Sequence, residues 1–335
     1  MTGQRLGFAV LGLGRIGRIH SANLAARVSG AKLVALADVA SEALTAASER
    51  LGGPRAFSDY RQVLALEEVD AVAICAPTDL HYQMILDAAA AGKHIFCEKP
   101  IDLAVERIAH VVEEVNRLGV ELMVGFQRRF DPSFQAMREA VQSGKIGEPH
   151  LLRISSRDPG PPPESYIRSS GGIFLDMTIH DFDIARYLMG SEVVEVHARA
   201  GVLVDRVFER AGDWDTALVS LAFANGAMGA IDNSRQAVYG YDQRAEVFGS
   251  AGMVAAENQT ATRHMVSDGA GVHLPKPLNF FLERYQEAYA REMQAFVDAI
   301  AAGRKVPVGA EDGLKAVKIG VAAAQSAREN RPVKL

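Results

Sequence analysis

Apolar residues in the first third of the chain alternate between short continuous runs and longer helical patterns. Residues 5–11 and 32–37 are apolar runs, and a pattern with helical spacing lies between them, from Ile19 to about Val28. Short apolar runs bounded by turn residues are typical of buried strands. Further strands are predicted at 55–57, 71–76, 93–97 and 121–126. Helices are predicted between them at 41–51, 60–66, 78–92 and 102–118. Six strands with intervening helices predict a doubly wound parallel sheet.

After residue 126 the pattern changes to strands that follow one another across short turns. The predicted strands are 150–156, 192–200, 215–223, 227–234, 243–249 and 253–257. Asn225-Gly226 separates two of them, which is a strong hairpin signal, and short turns favour antiparallel pairing. The predicted helices are 132–143, 171–188, 280–302 and 313–329. A wide sheet with one unpacked face needs a cover, so we expect a homo-oligomer.

Glycines follow the first predicted strand directly, in the order Gly12-x-Gly14-x-x-Gly17, and Asp38 ends the second strand. Gly12 allows a tight turn, Gly14 allows a pyrophosphate to approach the backbone, and Gly17 allows helix and strand to pack closely. A carboxylate at position 38 can accept hydrogen bonds from both ribose hydroxyls, which favours NAD over NADP. The alternative is a tight turn followed by an unrelated aspartate. The flanking strand, helix and second strand favour a dinucleotide site.

Several polar residues lie where predicted parallel strands end, which is the edge at which such sheets bind ligands. They are Asp38, Thr78, Glu98 and Lys99. Lys99 stands between a buried strand and a proline, so it can be a positioned cation that polarises a substrate oxygen. It can equally be a solvated loop lysine, which is the usual environment of lysine.

The helix predicted at 171–188 contains Asp176 and His180, four residues apart and so on one helical face. A carboxylate beside an imidazole can serve as a proton-transfer pair, but it can also be an ordinary surface pair. The proline-rich segment 158–163 comes before it and either borders a pocket or is a surface linker.

Length and composition exclude several classes of protein. A chain of 335 residues favours two domains, and a net charge of −5 with a pI near 6.0 argues against binding to nucleic acid. No run of 18 apolar residues is present, so no membrane segment is expected. Cys75 and Cys97 lack Cys-x-x-Cys spacing, which favours a reducing, cytoplasmic location. No metal site is expected, because His20, His81 and His94 lack ligand spacing.

Three motifs together resemble those of the Gfo/Idh/MocA oxidoreductase family: residues 12–17, Glu98-Lys99-Pro100 and Gly171-Gly-x3-Asp176-x3-His180-x2-Asp183. The likeness covers essentially the whole chain and is greatest to the inositol 2-dehydrogenases. The segments that carry this closer likeness are 125–132, 155–159, 174–183 and 233–243. It implies a Rossmann domain, residues 1–125, and a substrate-binding and oligomerisation domain, residues 126–335. The second domain is expected to contain a large, open, mainly antiparallel sheet, commonly packed against other subunits in tetramers.

The resemblance also implies which residues form the site. The catalytic positions are Lys99, Asp176 and His180. The expected substrate-binding residues are Gln127, Arg129, Asp158, Asp176, His180 and Tyr239. The expected NAD-binding residues are Gly12, Gly14, Arg15, Ile16, Gly17, Asp38, Val39, Thr78, His81, Glu98 and Lys99. At position 127 this chain has Gln where the likeness implies an apolar residue, and this difference bears on the preferred stereoisomer or sugar.

The sequence motifs together with this resemblance imply an NAD-dependent dehydrogenase that oxidises a cyclitol, with myo-inositol giving 2-keto-myo-inositol. His180 is expected to act as general base, Asp176 to bind the substrate and tune the basic groups, and Lys99 to stabilise alkoxide charge. The nearer alternative is a dehydrogenase of scyllo-inositol, another cyclitol or an aldose. The more distant alternative is a non-catalytic NAD-sensing regulator, which should have lost Lys99 or His180.

Overall fold

The computed structural model describes residues 5–335, which form two compact units. The first unit ends at Phe130 and also includes Glu287–Val317. The second consists of Asp131–Gln286 and Lys318–Leu335. This division differs from the two contiguous domains expected from the sequence, because a later part of the chain belongs to the first unit.

The first unit contains a parallel sheet. Its strands are β1 (Leu6–Leu11), β2 (Ala31–Ala37), β3 (Arg55–Phe57), β4 (Ala71–Ile74), β5 (His94–Glu98) and β6 (Leu122–Gly125). Within residues 5–335 the order of this six-stranded sheet is β3-β2-β1-β4-β5-β6, and every neighbouring pair is parallel. The predicted doubly wound parallel sheet is confirmed.

Five helices connect these strands in the described part of the chain. They are α1 (Arg15–Ala26), α2 (Ser41–Arg50), α3 (Tyr60–Leu64), α4 (Thr78–Ala90) and α5 (Val105–Leu118). The largest error is at α1, which begins at Arg15, four residues before the predicted start at Ile19, and α5 begins three residues later than predicted. Ala104 is extended and precedes the first turn there, while the side chain of Asp102 accepts a hydrogen bond from the Ala104 N–H.

A late segment belongs to the first unit because its side chains are part of that unit's core. The Phe296 ring lies 5.9 Å from Phe8 on β1 and 6.1 Å from Phe96 on β5. The Val124 N–H also donates a 2.9 Å hydrogen bond to the Val308 carbonyl. All three phenylalanines are fully buried. Local periodicity cannot reveal such long-range packing.

The second unit contains a mixed sheet. Its strands are β7 (Pro149–Arg157), β8 (Val193–Gly201), β9 (Thr216–Phe223), β10 (Met228–Ser234), β11 (Asp242–Gly249), β12 (Gly252–Ala256) and β15 (Val333–Lys334). Among the described residues this seven-stranded sheet has the order β12-β11-β7-β10-β9-β8-β15. The pair β7–β10 is parallel and the other neighbours are antiparallel. The mainly antiparallel sheet is confirmed, as is the hairpin at Asn225-Gly226, which joins β9 to β10. A separate hairpin is formed by β13 (Val266–Asp268) and β14 (Gly271–His273).

Two long predicted helices are each divided in the structure. The helix expected at 171–188 consists of α8 (Gly172–Asp176) and α9 (Thr178–Met189), which are separated at Met177. The helix expected at 280–302 consists of α11 (Phe281–Arg284) and α12 (Gln286–Ala301), divided at Tyr285. Apolar spacing persists across a one-residue break, so the pattern alone did not show either division.

The remaining helices are α6 (Pro132–Gln142), α7 (Glu164–Ser169), α10 (Val207–Ala211) and α13 (Ala310–Glu329). The short helices α7 and α10 were not predicted, because five or six residues are too few to show helical periodicity. A 3₁₀ turn spans Gln127–Phe130. None of the helices within residues 5–335 is long and apolar enough to cross a membrane.

One face of the second unit's sheet exposes a row of apolar side chains on four neighbouring strands. Met253 pairs with Phe248, Phe248 with Leu151, and Leu151 with Met228. Their exposures are 51, 46, 36 and 58% respectively. Residues next to them along the strands, such as Leu152 and Val247, are buried, so this face is distinct from the core side of the sheet.

Candidate functional site

The glycine turn after β1 has two positions at which the protein itself requires glycine. Gly12 has a φ of +95°, and a Cβ there would lie 2.7 Å from the Cys75 carbonyl oxygen. A Cβ on Gly17 would lie 1.9 Å from the Gly12 carbonyl oxygen. Any side chain at either position would therefore force strand, turn and α1 apart. The tight turn and the close packing of helix and strand predicted for this motif are both present.

Gly14 is different, because a Cβ there would meet no described atom within 4 Å. Its φ of −61° is also allowed for any residue. Nothing in the protein's own packing requires glycine at this position, whereas close approach of a pyrophosphate does. Arg15 and Ile16 follow in the first turn of α1, with Arg15 exposed and Ile16 half-buried.

Asp38, at the end of β2, is held beside this turn by backbone donors. The Leu13 N–H donates to its Oδ2 at 2.6 Å, and the Ala40 N–H donates to its Oδ1 at 2.8 Å. Each carboxylate oxygen can accept a further hydrogen bond. The next residue, Val39, is 92% exposed. An oriented carboxylate with an exposed apolar neighbour fits the ribose and base of a dinucleotide.

His81 lies on α4, but its ring is 1% exposed and both of its nitrogens contact the protein. Nδ1 lies 2.8 Å from the Pro100 carbonyl oxygen, and Nε2 lies 2.8 Å from the Ala76 carbonyl oxygen. The ring thus joins the segment after β4 to the segment that contains Lys99. The sequence predicts an NAD contact for His81, and in the structure both of its ring nitrogens face these backbone carbonyls. Thr78, at the first position of α4, is half-buried.

Glu98 is the last residue of β5, and its carboxylate points into the first unit. Its Oε1 lies 2.7 Å from Nε2 of His20, and a Cβ on Gly125 would lie 3.0 Å from its Oε2. Glu98 therefore contacts the protein interior, whereas an NAD contact was expected from the sequence. Lys99 follows directly and is half-buried.

Asp176, at the end of α8, is held by an arginine and a tyrosine of its own unit. Arg235 donates from Nη2 to Asp176 Oδ2 at 2.8 Å and from Nη1 to Asp158 Oδ2 at 3.1 Å. The Tyr166 hydroxyl donates to Asp176 Oδ1 at 2.7 Å. The side chains of Arg235, Asp176 and Asp158 are 5, 9 and 18% exposed. One guanidinium thus joins two carboxylates that were expected to bind substrate.

The electrostatics of this group keep Arg235 charged and Tyr166 protonated. Burial alone would lower the pKa of Arg235, but the carboxylates of Asp176 and Asp158 raise it above its ordinary value. Burial of the Tyr166 hydroxyl raises its pKa, and the negative charge of Asp176 raises it further. Asp176 therefore has both a cation and a phenolic donor beside it at neutral pH.

His180 is on α9, across the break at Met177 from Asp176, so the two residues do not share one continuous helix. The residue after it, Asp181, is fully buried. Asp181 accepts 2.8 Å hydrogen bonds from Ser156 Oγ on β7 and from Asn233 Nδ2 on β10. This network fixes the first turn of α9 on the sheet, and with it the backbone at His180, which is half-buried.

The other expected substrate residues occupy separate surroundings. Tyr239 donates to Asp242 Oδ2 at 2.6 Å and accepts from Arg157 Nη1 at 2.9 Å, so its hydroxyl belongs to a different group from Asp176. Arg129 donates from Nη2 to Asp312 Oδ1 at 2.9 Å, within the first unit. Gln127 is 4% exposed in the 3₁₀ turn.

Sequence reasoning missed Arg235 and Tyr166 as parts of the group around Asp176. Arg235 lies in the segment 233–243 that carried the closer family likeness, so a signal was present for it. Tyr166 follows the proline-rich loop on the unpredicted helix α7. The contact of Tyr166 with Asp176 supports the interpretation in which this loop borders the site.

Comparisons with known proteins agree with this organisation. Residues 6–126 match the model of an oxidoreductase family with an NAD-binding Rossmann fold, and residues 134–255 match the GFO/IDH/MocA C-terminal domain. The chain is 49% identical to a myo-inositol 2-dehydrogenase of Thermotoga maritima, over 97% of each chain. It is 38% identical to an NAD-dependent scyllo-inositol 2-dehydrogenase of Bacillus subtilis, over 98% of this chain and 95% of that one.

Solved structures show the same similarity. A myo-inositol dehydrogenase of Corynebacterium glutamicum has a TM-score of 0.95 at 39% identity, over 99% of both chains. A scyllo-inositol dehydrogenase of Lactobacillus casei, solved with NAD(H) and scyllo-inositol, has a TM-score of 0.92 at 33% identity, over 98% of this chain and 99% of that one. The first unit of the present chain is thus an NAD-binding Rossmann fold.

Proposed function

Because the chain belongs to the GFO/IDH/MocA oxidoreductase family, we propose that it oxidises a hydroxyl group of a cyclitol with NAD as the hydride acceptor. The preferred substrate in this proposal is myo-inositol and the product is 2-keto-myo-inositol. The observation that carries the proposal is the buried group around Asp176, where Arg235 and Tyr166 hold a carboxylate in a fixed orientation. Such a preorganised carboxylate is suited to a substrate that presents hydroxyl groups.

The described residues fit NAD. Gly14 leaves room for the pyrophosphate, and Asp38 has both of its oxygens oriented by backbone donors. A 2′-phosphate at Asp38 would meet a negative charge, so NADP should bind less well. Bound NAD supplies the hydride acceptor, and the chain has to remove the hydroxyl proton and stabilise the developing charge.

Each catalytic residue has a distinct role in this proposal. His180 takes the hydroxyl proton, since an ordinary imidazole titrates near neutral pH and can act as a base there. Lys99 stabilises the alkoxide charge that develops on the reacting oxygen. Asp176 accepts a hydrogen bond from the substrate and favours the protonated state of the basic groups. Gln127, Arg129, Asp158 and Tyr239 are proposed as further substrate-binding residues.

The sequence identities favour myo-inositol over scyllo-inositol. The relative at 49% identity is named for myo-inositol, and the relative named for scyllo-inositol is 38% identical. The decisive experiment measures initial rates of NADH formation with myo-inositol, scyllo-inositol and glucose. We expect the highest kcat/KM with myo-inositol. A higher kcat/KM with either of the other two compounds would reject this substrate.

A Lys99→Ala variant tests whether the protein is an enzyme rather than an NAD-sensing regulator. We expect it to bind NAD with nearly unchanged affinity and to lose at least about 100-fold in kcat, since it lacks the stabilising cation. Lys145→Ala, at an exposed lysine, is the matched control and should keep full activity. Turnover of Lys99→Ala at the wild-type rate would contradict the catalytic assignment.

A second copy of the chain is the proposed cover for the apolar row Met253–Phe248–Leu151–Met228, and a tetramer, expected from the family resemblance, is the proposed assembly. Contiguous exposed apolar side chains on a sheet are unusual in a monomer and favour an interface. Sedimentation velocity should therefore show an oligomer for the wild type and smaller species for Met228→Glu. Leu203→Glu, at an apolar residue that is 79% exposed elsewhere, is the control. A monomeric wild type would contradict this assembly.

A cytoplasmic location is also proposed, on the ground that Cys75 and Cys97 are unpaired thiols.

A further inference from the structure

We propose that His20 is a positioning residue for the oxidation: it clamps Glu98, and through Glu98 the backbone at Lys99, to the helix that follows the dinucleotide-binding glycines. The inference rests on the catalytic role proposed above for Lys99. Its evidence is a buried cluster of His20, Glu98 and Glu292 in the first unit.

His20 is three residues beyond Gly17 on α1 and is fully buried. Its Nε2 lies 2.7 Å from Glu98 Oε1, a short distance for a hydrogen bond that involves a charged group. The ring packs edge-on against Phe96, at 4.9 Å between centroids, and against Tyr289, at 5.7 Å. Aromatic packing on two sides leaves the imidazole little freedom, so it can transmit the position of α1 to Glu98.

Glu98 is fixed on its other side as well. A Cβ on Gly125 of the neighbouring strand β6 would lie 3.0 Å from the Glu98 carboxylate, so that strand's backbone packs against the carboxylate directly. Lys99 is the next residue in the chain and lies at the bend where the backbone leaves β5. Holding the Glu98 side chain inside the unit therefore constrains the direction in which Lys99 leaves the sheet.

Glu292 on α12 completes the cluster. It is fully buried, its Oε1 lies 3.9 Å from His20 Nε2, and neither of its oxygens has a hydrogen-bond partner among the described residues. Burial raises the pKa of Glu292 well above its ordinary value, and the charge of Glu98 raises it further. Burial likewise raises the thiol pKa of Cys75 and Cys97, which also face Glu98. Glu98 thus lies among buried acidic groups, with the His20 ring as its hydrogen-bond partner.

A metal ion is a poorer explanation of this cluster. Its ligand-type atoms lie within 4.8 Å of one another, but the 2.7 Å contact between His20 and Glu98 requires a proton between the two atoms. Burying polar groups in a core is costly, and apolar residues of similar volume commonly stabilise a core as well or better. Positioning of Lys99 explains why a polar pair, His20 and Glu98, is buried here, whereas packing alone does not explain it.

The test compares four variants of the full-length enzyme, each assayed for kcat, KM for both substrates, NAD affinity and thermal midpoint. His20→Leu removes the donor, and His20→Asn places an amide where Nδ1 was and cannot reach Glu98. His20→Gln places its amide close to the position of Nε2 and should restore the hydrogen bond. His94→Leu is the structural control, at a half-buried histidine at the other end of β5 whose Nδ1 accepts from the Glu121 N–H.

We expect His20→Leu and His20→Asn to lose about 10- to 100-fold in kcat, since a misplacement of about 1 Å costs this much. NAD affinity should stay within about threefold, the primary deuterium isotope effect on kcat should rise, and His20→Gln should recover most of the activity. His94→Leu should lower the thermal midpoint but leave kcat unchanged.

The inference is overturned if folded His20→Asn turns over within twofold of the wild type, or if Gln and Asn at position 20 behave alike. If His20→Leu does not fold, the Gln and Asn pair still decides. A wild type that oxidises no cyclitol would instead reject the proposed function, and this inference with it. The kcat of the wild type therefore shows whether the proposed function fails or only the role of His20.

Discussion

Arg235 and Asp176 are joined by a 2.8 Å hydrogen bond between Nη2 and Oδ2, in a place where the arginine side chain is 5% exposed. The arginine is on the segment after β10 and the aspartate ends α8, so the contact spans 59 residues of sequence. It orients the carboxylate that we propose to bind substrate, and it ties Asp176 to the second unit's sheet. Several expectations depend on it.

Arg235→Met should destabilise the protein as well as inactivate it. The change removes the cation that contacts Asp176 and Asp158, and breaking a buried ion pair costs about 3–5 kcal/mol. Urea denaturation and kcat should both show the loss. Arg168→Met, which breaks an exposed i,i+4 pair with Glu164, is the control and should cost no more than about 0.5 kcal/mol. Equal stability of the two variants would contradict the role given to Arg235.

Gly14→Ala and Gly17→Ala should separate cofactor binding from folding. A methyl group at position 17 would lie 1.9 Å from a backbone oxygen, so Gly17→Ala should lower the thermal midpoint strongly. At position 14 it would meet no described atom, so the thermal midpoint should stay unchanged. Gly14→Ala should nevertheless weaken NAD binding about tenfold or more, since the pyrophosphate approaches the backbone there. Scanning calorimetry measures the thermal midpoint, and titration calorimetry measures the affinity for NAD. Full NAD affinity in Gly14→Ala would contradict the proposed pyrophosphate site at this turn.

Asp38→Ser should shift the cofactor preference towards NADP. The change removes the charge that opposes a 2′-phosphate and shortens the acceptor for the ribose hydroxyls. We expect kcat/KM for NAD to fall about tenfold and that for NADP to rise, in line with a change of about 1.4 kcal/mol for each. Steady-state rates with both cofactors measure the ratio. A ratio that does not change would show that Asp38 only supports the turn through Leu13 and Ala40.

Glu292→Gln should become more stabilising as the pH rises. Because the pKa of this carboxyl is raised in the folded state, the folded protein binds more protons than the unfolded chain above the ordinary pKa of 4.5. Its contribution to stability is therefore lost as pH increases, by at most about 1.4 kcal/mol per pH unit. Glutamine has no such dependence, so its advantage over the wild type should grow between pH 5 and 8.

Urea denaturation at several pH values measures this difference. Glu287→Gln, on the same helix, is the control, because its pKa is lowered by the hydrogen bond from Arg291 and the side chain is 54% exposed. The difference in stability between Glu287→Gln and the wild type should change little with pH, and it should not grow in favour of the variant as the pH rises. A constant difference between wild type and Glu292→Gln would mean that Glu292 titrates normally.

The sequence by itself determined the Rossmann half of the protein. Its strands are short apolar runs, its helices follow the period of 3.6 residues, and Gly12 and Gly17 are required by local backbone geometry. Asp38 follows from the same local spacing. The mainly antiparallel sheet and the hairpin at Asn225-Gly226 could likewise be predicted, since both depend on turn chemistry and on alternation along single strands.

The tertiary structure decided how the site is held. The contacts that hold it involve Arg235, Tyr166 and His20, whose partners are 59, 10 and 78 residues away in the sequence. No local pattern encodes such partners. The break at Met177 places Asp176 and His180 on two helices, although their spacing suggested one. Residues 287–317 belong to the first unit because Phe296 packs on Phe8, and burial of this kind depends on the assembled core rather than on the order of residues.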